Sequence, residues 1–195
     1  MKKQFLYAFV FAFTLLSGSA AQAQFAKGDI LINPGVSFLG YGYGFGYAGG
    51  YSGLPALSAS VEYSITDQIG VGGYVGYQSR TYKYSNNYKD RWSSIGFGAR
   101  GVYHASSFLN DALNFSINEE KLDIYAGLSL GYQTYSFKYD DSYSSGFPRT
   151  TYSSGAVVFG GILGVRYMFS PNIGVYGELG RGAFGAITLG ATFKL

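Results

Sequence analysis

Apolar and polar positions alternate with period two along most of the chain, the pattern of strands whose two faces meet unlike surroundings. In the first such segment Ile30, Ile32, Val36 and Phe38 share one face, and Asp29, Asn33, Gly35 and Ser37 the other. Pro34 removes a ladder donor there, which predicts a local bulge or irregular pairing. The second segment sets Leu57, Ala59, Val61, Tyr63 and Ile65 against Ser58, Ser60, Glu62 and Ser64, and Thr66-Asp67-Gln68 ends it as a tight turn. In the third, Ile69, Val71, Val75 and Tyr77 oppose Gly70, Gly72, Tyr74, Gly76, Gln78 and Arg80. In the fourth, Ile95, Phe97, Ala99, Tyr103 and Ala105 oppose Ser94, Gly96, Gly98, Arg100 and His104. The fifth places Leu122, Ile124, Ala126, Leu128, Leu130 and Tyr132 against Asp123, Tyr125, Gly127, Ser129, Gly131 and Gln133. Three more follow the same rule: Val157 to Phe169 with Gly160, Gly164 and Arg166 on the second face; Ile173, Val175 and Leu179 against Gly174, Tyr176, Glu178 and Gly180; and Ile187 to Leu195 against Thr188, Gly190, Thr192 and Lys194.

The connections differ in length by side. Longer segments rich in Gly, Tyr, Ser and Asp follow the first, third and fifth strands, at 41–53, 82–91 and 139–151, while short turns follow the second and sixth. The link from Arg181 to Phe184 is a short exception on the long side. The stretch from Ser106 to Glu120 is a long exception on the short side, and its Phe108 to Leu113 portion is predicted to form one or two helical turns. Short turns at one end and long loops at the other describe an all-β, eight-stranded antiparallel up-and-down transmembrane β-barrel, with turns in the periplasm and loops outside.

Composition adds the compartment. Lys2 and Lys3, the apolar run from Phe5 to Leu16 and the small-residue site Ala21-Gln22-Ala23 predict a signal peptide over 1–23, cleaved to leave a barrel domain over 24–195. Without those two lysines the 14 basic residues come within one charge of the 11 acidic ones, a balance that argues against a nucleic-acid partner. The absence of cysteine excludes disulfides, thiolate metal sites and a lipidated cysteine after the signal. No cofactor or metal is expected.

The two faces decide what surrounds the barrel. One is a band of Ile, Leu, Val, Phe and Tyr; the other is mostly Gly, Ser and Thr with few charges, too small and too sparsely charged for a solvated exterior. The apolar band therefore faces lipid. Tyr63, Tyr103, Tyr167, Phe169 and Phe193 on the turn side, with Phe38, Tyr77 and Tyr132 on the loop side, form two interfacial girdles. Eight strands leave an interior that side chains fill. Glu62, Asp123 and Glu178 against Arg80, Arg100 and Arg166 predict an ion-pair network in that interior, with Arg80 nearest the outer rim, because a buried charge requires a partner.

Segments such as Lys121-Leu122-Asp123-Ile124-Tyr125-Ala126-Gly127 and Ser170-Pro171-Asn172-Ile173-Gly174-Val175 resemble the small outer-membrane β-barrel proteins related to OmpA and OmpX, particularly those of Bacteroidetes-type bacteria. The resemblance implies the outer membrane of a Gram-negative bacterium, with outer-membrane lipid around the barrel. The last strand, with Thr188, Gly190, Phe193 and Leu195 at its signature positions, is similar to the signal by which the barrel assembly machinery recognises such chains. It ends in leucine where many end in phenylalanine.

Candidate chemistry is sparse. Gly96-Phe97-Gly98-Ala99-Arg100-Gly101 satisfies the G-x-G-x-x-G pattern of a dinucleotide-binding turn, as do Gly44, Gly46, Gly49 and Gly180, Gly182, Gly185. With 30 glycines in the chain the pattern is uninformative, and no helix follows it to receive a phosphate. Outer-membrane lipid A deacylases and acyltransferases resemble this scaffold and use a histidine. Here that is His104, with Ser106, Ser107 and Asp123 nearby in sequence or across strands, but on the periplasmic side. The stronger candidate is a contact surface for an extracellular partner, built from Tyr41, Tyr43, Tyr47, Tyr51, Tyr84, Tyr88 and Tyr143 in Gly-rich loops. The expected function is structural or surface interaction rather than enzymatic, with a lipid-modifying enzyme or a narrow pore as alternatives.

Overall fold

The computed structural model describes residues 25–40, 51–52, 55–85, 88–138, 151–181 and 185–195, and leaves the side chains of 39–40, 51–52 and 82–89 outside that description. The segment expected to be a signal peptide and most of the 41–53 and 139–151 segments expected to be loops therefore lie outside the described residues.

Strands β1 (Ile30–Gly40), β3 (Ala56–Ser64), β4 (Ile69–Ser85), β5 (Tyr88–His104), β6 (Leu122–Lys138), β7 (Thr151–Ser170), β8 (Ile173–Gly180) and β9 (Gly185–Lys194) pair in that order, each antiparallel to the next, and β9 returns to β1. The result is a closed eight-stranded barrel. A short β2 (Tyr51–Ser52) pairs on β4 opposite Tyr82 and Thr81, and helix α1 (Ser106–Leu113) lies in the β5–β6 link.

Alternation fixes the faces. In β4, Val71, Val75 and Tyr77 are exposed while Tyr74 and Gln78 are buried; in β5, Ile95, Phe97 and Tyr103 are exposed while Ser94, Arg100 and His104 are buried. The girdle residues Tyr63, Tyr103, Tyr167, Phe169, Phe193, Phe38, Tyr77 and Tyr132 all stand on the outer surface. A few apolar side chains point the other way: Leu31, Val102, Ile162 and Met168 are buried in the lumen.

The many glycines of the inner face have a packing role. The Tyr125 ring lies over Gly164, its Cα partner on β7, where a Cβ would strike the ring. Tyr74 crosses Gly98 and Gly131 in the same way, and Tyr176 crosses Gly35 and Gly190. Each ring lies flat along the wall where a neighbouring strand has no side chain. Glycine and tyrosine thus fill a narrow lumen together.

One expectation is met in part and another is corrected. At Pro34 the pairing is irregular but there is no bulge: β1 holds one register with β3 through Pro34↔Ala59, while its ladder to β9 is interrupted at Asn33 and Pro34. That interruption is where a missing donor is felt, since the other side of the ladder continues. The segment 82–91 is not a long loop, because the β4–β5 ladder runs up to Ser85↔Tyr88. Its Tyr82, Tyr84 and Tyr88 are residue types that suit a strand, and the pairings Tyr82↔Asp90 and Ser85↔Tyr88 extend the hairpin. Tyr84 and Tyr88 accordingly belong to strands.

Candidate functional site

Inward parity on five different strands brings one charged cluster together. Glu62 comes from β3, Arg100 and His104 from β5, Asp123 from β6, Arg166 from β7 and Glu178 from β8, and all six are buried. Asp123 and Arg166 are cross-strand partners, and Arg166 Nη1 donates to Asp123 Oδ2 at 2.8 Å. Arg166 also donates from Nε to Thr192 Oγ1 at 3.2 Å, and its guanidinium carbon stands 4.9 Å from the Tyr125 ring centre. Arg100 reaches across the lumen to Glu178 Oε1 at 2.6 Å, which also accepts from the Tyr125 hydroxyl at 3.0 Å.

His104 joins the two carboxylates at the turn end. Its Nδ1 lies 2.8 Å from Asp123 Oδ2 and its Nε2 2.7 Å from Glu62 Oε1. Glu62 reaches it across β4 because Gly70 carries no side chain; a Cβ there would meet the Glu62 carboxylate. With an acceptor at each nitrogen, the ring is matched to its doubly protonated form. The cluster then holds three cations, Arg100, Arg166 and His104, against three anions, Glu62, Asp123 and Glu178. Arg80 is not drawn in. Its guanidinium faces the Gln78 amide, whose oxygen, suitably oriented, accepts from Nε at 3.0 Å and Nη2 at 2.8 Å. Counting histidine as neutral hid this substitution from the sequence reading, although the parity of His104 was legible.

Phe25 was also missed, and nothing in a strand pattern points to it. Its ring stacks on His104 with centroids 3.4 Å apart, closing the cluster from the turn end. The segment behind it is held by Gly28 N donating to Ser64 O at 2.9 Å and by Lys27 N donating to Asp67 Oδ1 at 2.8 Å.

Chemically, the arrangement is a set of paired charges, although Glu62 Oε2, Arg100 Nε and Arg166 Nη2 are buried without a hydrogen bond. Both nitrogens of His104 are occupied by carboxylates. Ser106 Oγ is engaged with Leu122 O and Ile124 N, and Ser107 Oγ accepts from Gln68 Nε2. No nucleophile–base pair is formed by these residues. Among the described residues, one space in mid-lumen, bordered by Ser60, Tyr74, Arg100, Tyr176 and Glu178, is about 10 Å³, and another of about 40 Å³ lies at the turn end beside Phe25 and His104.

The opposite end has a different character. β1, β3, β8 and β9 have 8 to 11 residues, near the ~9–11 needed to span a bilayer, whereas β4, β5 and β6 have 17 and β7 has 20. The β3–β4 ladder stops at Leu57↔Tyr77 and the β7–β8 ladder at Ile162↔Gly180, but β4 to β7 stay paired beyond. A four-stranded wall thus rises on one side of the mouth, by roughly 20 Å at about 3.3 Å per residue. Residues 151–157 of β7 are exposed on both faces. Arg91 and Lys138, both exposed, are cross-strand partners on this wall, and Lys83 is the Cα partner of Lys89. Of the tyrosines expected to form a contact surface, Tyr51, Tyr84 and Tyr88 have their backbones in β2, β4 and β5, while Tyr41, Tyr43, Tyr47 and Tyr143 lie outside the described residues.

In β9, Thr188 hydrogen-bonds Ser37 at 2.8 Å from within the lumen, Gly190 lies under Tyr176 and Phe193 is exposed, as is Leu195 just after the strand.

The chain matches the model of the outer membrane protein β-barrel domain over residues 9–192. No curated protein sequence is significantly similar to it. Among solved structures, it is similar to Ail, the attachment invasion locus protein of Yersinia pestis, at 16% identity and a TM-score of 0.51, over 87% of this chain and 99% of that one. A major outer membrane protein from Thermus thermophilus matches at 14% identity and 0.53, over 86% and 99%. The outer membrane protein OprG from Pseudomonas aeruginosa matches at 16% and 0.50, over 89% and 99%. These likenesses are of fold.

Proposed function

The chain belongs to the outer membrane protein β-barrel domain family, and from that premise we propose that it is a closed barrel whose function is surface contact, made by the extracellular wall of β4 to β7 and the Tyr/Gly-rich loops around it. The observation that carries this reading is the unequal height of the strands: four of them extend well past the length a membrane requires. Extra paired strand is stable structure held out in solvent, with both faces of its last strand available to a partner.

The wall's charge favours an anionic partner surface. Like charges placed directly opposite each other in a sheet destabilise it, and here the exposed Arg91 is the cross-strand partner of the exposed Lys138. A bound polyanion relieves that repulsion. The protein is read as exported through its signal peptide, folded by the barrel assembly machinery through β9, and without enzymatic activity or cofactor; the lumen cluster serves as a structural plug.

Cells displaying the full chain are compared with cells displaying a barrel in which residues 81–91 and 137–152 are replaced by two-residue turns. Heat-dependent gel mobility establishes that equal amounts of closed barrel are present. Adhesion to a polyanion-coated surface is expected to fall to background with the shortened wall, and to fall partially with Arg91→Ser and Lys138→Ser. Unchanged adhesion of the shortened form overturns the reading.

A further inference from the structure

The β5–β6 link differs from its neighbours at the same end of the barrel. The other turns there are short and polar, Thr66-Asp67-Gln68 and Ser170-Pro171-Asn172, whereas this one carries α1 followed by an ordered stretch to Lys121. Its largest apolar side chains stand outside. Ser106 is buried and Leu109 and Asn110 are half-buried, while Phe108 is 51% exposed and Leu113 57%, with Asp111 and Ala112 exposed between them, and Phe115 just beyond is 55% exposed. An amphipathic helix ordinarily turns its apolar side to the protein and its polar side to water.

This orientation is held by hydrogen bonds on the polar side. Ser106 Oγ donates to Leu122 O at 3.3 Å and accepts from Ile124 N at 2.8 Å, and Gln68 Nε2 donates to Ser107 Oγ at 3.2 Å. Asn110 Nδ2 donates to Ile117 O at 2.9 Å and to Glu119 Oε1 at 2.6 Å, and Ile117 N donates back to Asn110 Oδ1 at 2.8 Å. Asn114 ends the helix in the left-handed region at φ 55°, and Phe115 N then donates to Leu109 O at 3.4 Å. The three large apolar groups are fixed outward rather than caught in a loose loop.

The lipid-facing surface continues to both ends of this link. The chain enters it two residues after Tyr103 and leaves it at Leu122, whose Cα partner is Tyr167, and both tyrosines belong to the outer girdle at this rim. Ala105 N donates to Ile124 O at 2.7 Å, so the helix starts at the level of the rim itself. We propose that the β5–β6 link is a membrane-surface foot, with Phe108, Leu113 and Phe115 seated in the headgroup and acyl boundary of the inner leaflet of the outer membrane. The occupant of the exposed apolar surface is phospholipid. Asp111 and the charges at Glu119, Glu120 and Lys121 remain on the aqueous border. The proposal rests on the membrane-embedded barrel and is independent of the extracellular wall, which lies at the other end.

The test uses a single indole as a depth probe. Trp92, the chain's one tryptophan, is removed by Trp92→Phe, and Phe115→Trp or Phe108→Trp is introduced in the full mature barrel. Pro171→Trp, in the exposed turn after β7, serves as the control at the same end. Each protein is folded into phosphatidylethanolamine and phosphatidylglycerol vesicles, with heat-dependent gel mobility reporting closure. The foot predicts blue-shifted emission from the link probes, strong quenching by chains brominated near the headgroup, weaker quenching by chains brominated deeper, and little of either effect for the control. Hydrated emission from both link probes, with no more brominated-lipid quenching than the control, overturns the proposal and leaves the surface to a periplasmic protein. Having two probe positions keeps the test decisive if one substitution prevents closure.

Discussion

At the scale of single residues, the lumen is governed by pairing. Arg100 and Glu178 are both buried and lie 2.6 Å apart, so Arg100→Met leaves an uncompensated carboxylate and is expected to destabilise the barrel by about 3–5 kcal/mol. The double variant Arg100→Met, Glu178→Gln removes both charges and is expected to recover much of that loss. Urea unfolding in vesicles, followed by gel mobility, measures both; a single variant as stable as the parent contradicts the pairing. Glycine follows an equally local rule. Gly164→Ala puts a methyl into the Tyr125 ring and is expected to cost about 1–3 kcal/mol, as overpacking does, whereas Gly101→Ala, with nothing within 4 Å of its added carbon, is expected to have a smaller effect. Equal effects in the same unfolding measurement would contradict the ring-over-glycine packing. The inward set was legible because a period of two leaves only one assignment once a face is identified. Which members meet was not: Arg100 finds Glu178 three strands away, and that depends on the stagger of the closed sheet. Arg166 and Asp123 are direct neighbours across one ladder, yet only the register reveals it.

At the scale of elements, strand number, order and facing followed from alternation, and the helix in the β5–β6 link from its apolar spacing. Strand ends did not. The 82–91 segment carries the Tyr, Ser and Asn content of a loop, but above the membrane a strand no longer needs an apolar outer face, and the hydrophobic signal fades while the ladder persists. Composition changes where lipid ends, not where pairing ends. The same distinction separates the two unusual elements of this barrel. The wall is long and polar because it stands in water, and the foot is short and apolar on its outer side because it meets lipid.

At the scale of the whole molecule, eight strands close around a charged interior, and the proposed plug makes a prediction about passage. Mid-lumen space of about 10 Å³ is of the order of one water. Vesicle swelling is accordingly expected to admit small sugars no faster than protein-free vesicles; entry above that background would contradict the plug. The pairing of β1 with β9 bears on time as well as space. Asp29 and Lys194, separated by 165 positions, meet at 3.2 Å, and Leu195 N donates to Ile30 O beside them. Because these are the most distant parts of the described chain, their pairing is the longest loop closure of the fold and is expected to form last. Until β9 is available, the partly made sheet has two raw edges and an apolar exterior with no membrane around it. A chain stopped before its final ten residues is therefore an aggregation hazard rather than a smaller barrel.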